Sequence, residues 1–230
     1  MTHTHRLTLC VFLFVAMEVA LINFIDRPLA EYMHTIDMQH QEMINFFRAY
    51  TDLGKSKWYL WPAGIGVFIC ATLTRINVRS ALSIQAARIG EALLFVFVCV
   101  GGSGIVTDII KPILGRGRPV ELEREDLYGF HPFSFHATWN SMPSGHATTA
   151  FALACVLIMF FPRGRVVWIA LACLLAMSRV MVNAHFLSDV FAGVAVGCLT
   201  VFICGRCVNH TGIYHVKRCI FPIDSQNRTV

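Results

Sequence analysis

Apolar residues gather into six runs, Leu7 to Ile25, Trp58 to Leu73, Ile89 to Ile110, Ala147 to Phe161, Val166 to Val182 and Val190 to Gly205, with polar residues in the gaps. A helix needs about 20 residues to cross a bilayer, within a range of about 17 to 25. Several runs fall short of that, but charges and turn formers bound them, as in Phe161-Pro162-Arg163-Gly164-Arg165. This punctuation predicts a serial array of helical hairpins. The expected fold is all-α, a six-transmembrane-helix bundle. The first gap, Asp26 to Lys57, carries Met33, Ile36, Met43, Ile44, Phe46 and Tyr50 among charges at helical spacing. It is expected to form interfacial helices or a partly buried connecting helix. The first run reads as an uncleaved span, because Glu18 interrupts it and no small-residue cleavage site follows. No repeat or dividing linker is evident, so residues 1–230 are expected to make one domain, with a motif core at about 89–205.

Composition strengthens the membrane reading. Hydrophobic residues are 56% of the chain and charged residues 14%, against about 25% charged in a soluble domain. A mean hydropathy of +0.59 with 18 Phe exceeds what one soluble interior of this size needs, and excludes disorder. The net charge of +5 is spread along the chain, so no nucleic-acid partner is expected. Cys10, Cys70, Cys99, Cys155, Cys173, Cys198 and Cys204 sit in or beside apolar runs and read as small core hydrophobes. Cys204 and Cys207 form a lone C-x-x-C pair, with no second pair to complete a zinc site.

Six spans put both termini on one side. That side carries ten cations: Arg6, Arg75, Arg79, Arg88, Arg163, Arg165, Arg206, Lys217, Arg218 and Arg228. The other carries eight: Arg27, Arg48, Lys55, Lys57, Lys111, Arg116, Arg118 and Arg124. The positive-inside rule then favours cytoplasmic termini, more so if chemistry rather than topology holds Lys111 and Arg118.

Polar groups beside membrane spans are functional candidates, because hydrocarbon penalises them. Three clusters qualify. In Lys111-Pro112-Ile113-Leu114-Gly115-Arg116-Gly117-Arg118-Pro119, Pro112 is expected to discourage the helix and the glycines to permit turns, letting Lys111 and Arg118 converge on one anion. Alone, the cluster also reads as a snorkelling anchor. Pro143-Ser144-Gly145-His146 opens the fourth run, where free backbone N–H groups and the helix dipole suit a phosphate. Ser144 also reads as a simple N-cap. In the third cluster, Arg179 precedes His185, and Asp189 follows it by four residues. On a helix that spacing lets the carboxylate hold one imidazole nitrogen and leave the other free to attack. By span order, all three clusters face one aqueous side, the side opposite the termini.

These residues resemble the type-2 phosphatidic acid phosphatase superfamily, which also includes bacterial acid phosphatases and vanadium haloperoxidases. Its signature, K-x6-R-P, then P-S-G-H, then S-R-x5-H-x3-D, is filled at every fixed position by Lys111 to Pro119, Pro143 to His146 and Ser178 to Asp189. The resemblance implies a membrane lipid phosphatase with His185 as nucleophile, Asp189 orienting it and His146 as general acid. Lys111, Arg118, Arg179, Ser144 and the Gly145 N–H would bind the phosphate. A bell-shaped pH profile is expected, His185 starting neutral and His146 cationic. No metal or other cofactor is expected, because three side-chain cations fill a metal's electrostatic role.

The expected partners are a lipid phosphate substrate and the surrounding membrane lipids, at a bacterial inner membrane with the site facing the periplasm or exterior. Phosphatidic acid, phosphatidylglycerophosphate, a polyprenyl diphosphate and a lipid A phosphate all fit. A lipid transferase or transporter and a vanadate-dependent haloperoxidase are the rival readings. The segment Val120 to Met142 is acidic at Glu121, Glu123, Glu125 and Asp126, which read as a solvated turn. Its Tyr128, Phe130, Phe133, Phe135 and Trp139 suit a lid at the interface, and His131 and His136 read as bystanders.

Overall fold

The computed structural model describes residues 3–76 and 80–211, so Arg79, Lys217, Arg218 and Arg228 of the charge count lie outside the described residues. The described chain is helical: α1 (His3–Ala20), α2 (Asp26–Gln39), α3 (Gln41–Thr51), α4 (Lys57–Ile76), α5 (Ala81–Leu114), α6 (Pro119–Glu125), α7 (Gly145–Phe160), α8 (Arg165–Met181) and α9 (Leu187–Thr211).

Five helical stretches are long and apolar enough to cross a membrane: His5–Gln39, Gln41–Ile76, Ala81–Leu114, Pro162–Met181 and Leu187–Val208. The apolar helix Gly145–Phe160 is shorter than these. The first run does not stop at Ile25. It continues through a π-turn, Leu21–Ile25, directly into α2, and the Asp26 N–H bonds the Leu21 carbonyl. A π-turn inserts one residue into a helix and re-aims the side chains beyond it. Pro112 does not end α5 either. It is accommodated within the last turn, and the helix stops three residues later at Gly115, whose left-handed φ of 60° lets its N–H close on the Lys111 carbonyl at 2.8 Å. Gly117 is not a left-handed turn residue; its bare Cα lets Trp139 pass closely.

The shortest spanning-type helix lies at the centre. Ala147, Thr148, Thr149, Ala150, Ala152, Ala154 and Val156 of α7 are all buried, and α5, α8 and α9 pack around them. Small residues permit this. A Cβ at Gly193 of α9 would stand 2.5 Å from the Ser144 carbonyl, and one at Gly197 would stand 2.6 Å from the Thr148 carbonyl. Backbone-to-backbone approach through a small-xxx-small face is a membrane packing device. Outward faces carry Phe12, Phe68, Val166 and Phe202, all exposed as lipid contact requires. Cys10 and Cys173 are exposed on helix surfaces rather than in the core.

Candidate active site

Three chain segments meet at the N-terminal end of α7. The close α7–α9 contact brings Ser144, the residue before α7, against α9, and its N–H donates to the Asp189 carbonyl at 2.8 Å. From α5, Thr107 donates to Thr148 Oγ1 at 3.1 Å. The chain between α8 and α9 folds back so that the Ala184 and His185 N–H groups both bond the Arg179 carbonyl, at 3.0 and 3.3 Å. His185 is thereby held beside the end of α8.

The expected phosphate ligands gather here. Lys111 Nζ stands 3.6 Å from where a Gly145 Cβ would be, which places the ammonium beside the start of α7. Arg118 is oriented by two carbonyls, Nε to Ala137 at 3.0 Å and Nη2 to Asn140 at 3.3 Å. Arg179 donates through Nη1 to Thr51 Oγ1 of α3 at 2.9 Å. The charges of Lys111, Arg118 and Arg179 act on one another, and those of Arg118, Arg179 and His146 act with that of His185. Three buried polar atoms in this group lack a hydrogen-bond partner: Ser144 Oγ, His146 Nε2 and Arg179 Nε. Orphaned polar atoms are rare in protein interiors, and a cluster of them is ready for a ligand. Of the three residues, His146 also lines a cavity of about 350 Å³, together with Gly54, Lys55, Thr107, Gly145 and Thr149 among others. Ser144 is therefore no side-chain N-cap, since its hydroxyl makes no capping bond.

His185 and Asp189 meet differently from the expected helical pair. His185 precedes α9, and its Nδ1 lies 3.6 Å from Asp189 Oδ2, an ion-pair distance too long for a hydrogen bond. That oxygen instead accepts the Ser141 hydroxyl at 2.5 Å and the Phe186 N–H at 2.9 Å. Ser141 Oγ also stands 3.4 Å from Nδ1. The Nδ1 edge thus faces Ser141 and Asp189, leaving Nε2 as the edge open to chemistry. Burial pushes the His185 pKa down to about 4, with Arg179 and Arg118 in the same direction and Asp189 opposing. The imidazole is neutral over most of the pH range, as a nucleophile requires. Burial likewise lowers the pKa of Arg118, without threatening its charge.

The sequence reading missed the other side of Asp189. Arg116, treated there as one topological charge among eight, is only 1% exposed. Its Nη1 bonds Asp189 Oδ1 at 2.7 Å, and its Nη2 bonds Asp26 Oδ2 at 2.6 Å. Burial opposes its charge, but the two carboxylates outweigh that and hold its pKa above the usual value. The only sequence signal was its position between Lys111 and Arg118. The acidic segment is solvated, as expected, but is a helix rather than a turn: Glu121, Glu123 and Glu125 fall in α6, Asp126 pairs with Arg27 at 2.8 Å, and Glu123 lies 3.2 Å from His34. Phe133 and Phe135 are exposed, whereas Tyr128 packs edge-on against Phe186. Among the described residues, no three His, Cys, Asp or Glu side chains converge as a metal-ligand set.

The profile of the PAP2 superfamily matches residues 92–212. A lipid A 1-phosphatase of Rhizobium johnstonii is 31% identical over 202 residues, covering 85% of this chain and 80% of the relative. A lipid A 1-phosphatase of Rhizobium etli is 35% identical over 161 residues, covering 68% and 69%. Among solved structures, Aquifex aeolicus LpxE superposes with a TM-score of 0.57 at 22% identity, covering 80% of this chain and 98% of that one. A transmembrane PAP2-type phosphatidylglycerolphosphate phosphatase from Bacillus subtilis gives 0.59 at 20% identity, covering 88% and 96%.

Proposed function

Because the chain belongs to the PAP2 superfamily, we propose that its pocket removes a phosphate from a lipid headgroup, and that the lipid is of the lipid A type. It is an integral membrane lipid phosphatase, a phosphoric ester hydrolase. The observation that carries the reading is the set of unpartnered buried atoms on Ser144, His146 and Arg179, gathered among three cations that form no ion pair with a carboxylate closer than the 3.5 Å between Lys111 and Asp108.

The proposed reaction has two steps. His185 Nε2 attacks phosphorus while the bond from phosphorus to the lipid oxygen breaks, and His146 gives that oxygen its proton. Water then attacks the phosphohistidine, His146 takes a proton from it, and the P–N bond breaks to release phosphate. Lys111, Arg118, Arg179, Ser144 Oγ and the Gly145 N–H neutralise the phosphoryl oxygens as charge spreads. Arg179 and His185 border His146, so the phosphate's own negative charge is what favours the imidazolium in the loaded site. Asp189 orients His185.

The lipid assignment has its own support. An apolar groove of about 550 Å³, lined by Leu60, Trp61, Gly64, Ile65, Phe68 and Phe97, shares Ser56 and Lys57 with the cavity that Gly145 and His146 line. A headgroup in the cavity would lay an acyl chain there. The names of the two Rhizobium relatives support lipid A as the substrate. In the membrane, α7 serves as a sixth span, short because protein surrounds it, and α2 and α3 extend from the core to the interface. The termini face the cytoplasm and the site faces the periplasm of a bacterial inner membrane. Residues 1–230 act as one catalytic domain.

The test is phosphate release by purified protein in EDTA from lipid A, phosphatidic acid, phosphatidylglycerophosphate and a polyprenyl diphosphate. Release from lipid A at the highest kcat/KM, lost in His185→Ala, is expected. No release from any lipid, or transfer only to acceptors other than water, would overturn the reading.

A further inference from the structure

The start of α2 carries a carboxylate that touches no candidate phosphate ligand yet is linked to Asp189. Asp26 is the first residue after the π-turn and is 1% exposed. Its Oδ2 accepts Arg116 Nη2 at 2.6 Å and the Ser188 hydroxyl at 2.5 Å, while its Oδ1 accepts the Ser188 N–H at 3.1 Å. Arg116 Nη1 in turn bonds both Ser188 Oγ and Asp189 Oδ1. One carboxylate thus pins the first turn of α9 from outside that helix and holds the guanidinium that holds Asp189. The π-turn makes this reach possible, and its Ile22 carbonyl is tied to the Tyr128 hydroxyl.

Such an arrangement is costly as a stability device. Two buried carboxylates sharing one guanidinium leave an uncompensated negative charge, and well-packed apolar residues would serve the fold as well or better. Its value lies in position. Asp189 must keep one oxygen on Arg116 for the other to remain on Ser141 and the Phe186 N–H, the contacts that face His185. We propose that Asp26 is a positioning residue for phosphoryl transfer, setting the attack direction of His185 through Arg116, Ser188 and Asp189. This rests on the phosphatase reading above.

The experiment compares Asp26→Asn with the wild type in kcat, KM, and inhibition by orthovanadate and by inorganic phosphate. Vanadate adopts the geometry of the transferring phosphoryl group and bonds the nucleophile, so its affinity reports His185 alignment, whereas phosphate needs mainly the cations. Loss of alignment costs about 10- to 100-fold in kcat, with KM and phosphate inhibition within about threefold and vanadate weakened about tenfold or more. A kcat within about twofold of wild type, or vanadate and phosphate weakened in equal proportion, overturns the proposal. If Asp26→Asn does not fold, Ser188→Ala decides: it should lower kcat about three- to tenfold with the same vanadate-selective loss, and an unchanged vanadate-to-phosphate ratio overturns the proposal. A wild type that releases no phosphate defeats the phosphatase reading itself. An active wild type with an unaltered Asp26→Asn variant defeats only the positioning role.

Discussion

Arg116 reaches the candidate nucleophile through Asp189, whereas the charge of Arg179 acts on His185 itself, and the surroundings of the two arginines are opposite. Arg116 has a carboxylate on each side and three aromatic rings within 6 Å of its guanidinium carbon. Arg179 has one threonine hydroxyl, an unpartnered Nε and, among the described residues, no ion pair. Placing a cation in a low-dielectric site without a counter-charge is expensive, so the protein tolerates it where an anion is to be bound. The pairing state, more than the residue type, separates the arginines that can receive a phosphate from the one that braces the machinery.

The largest effect expected on this account is for His185→Ala, which removes the nucleophile and should lower kcat by about 10⁴-fold or more. Inorganic phosphate should still inhibit the variant's residual binding of lipid within about threefold, measured by ligand displacement, because the cations remain. Arg179→Ala and Arg118→Ala should each cost about 10² to 10³ in kcat, as loss of one charge-stabilising donor does elsewhere. Arg116→Met sharpens the contrast. It strands Asp26 and Asp189 as buried, unpaired carboxylates and should lower stability by about 3 to 5 kcal/mol, read as a fall in the thermal midpoint in detergent, whereas Arg179→Ala leaves that midpoint nearly unchanged. The pH profile is set by the buried imidazole. With its pKa lowered to about 4, His185 is neutral above that pH and gains a proton below it, so kcat should hold down to about pH 4.5 and fall through pH 4. A rate flat from pH 5 to 9 with no alkaline limb would remove His146 as the acid. The smallest effect is for Thr51→Val, where losing one neutral hydrogen bond to Arg179 should cost about 1 kcal/mol, or about fivefold in kcat.

What the sequence made legible was whatever is local. Apolar runs marked the helices, and the spacing within Lys111–Pro119, Pro143–His146 and Ser178–Asp189 marked the phosphate ligands. Asp26 and Arg116 stand 90 positions apart, and nothing between them announces their contact. Each had an adequate local reading, one as the start of a loop and the other as a topological charge. The 185–189 spacing suggested a direct hydrogen bond on a helix, but α9 begins after His185, so Ser141 enters the gap. The shortness of α7 looked like a weak span; its run of Ala and Thr was the mark of a helix packed against protein on every side.

The most direct test of the central claim, that His185 attacks one phosphorus atom held by the surrounding cations, is a rapid quench during turnover of substrate labelled with radioactive phosphate. The account predicts an acid-labile, base-stable phosphoenzyme whose label maps to the peptide bearing His185 and disappears in His185→Ala. Label on any other residue, or unchanged phosphate release by His185→Ala with no phosphoenzyme at all, would contradict it.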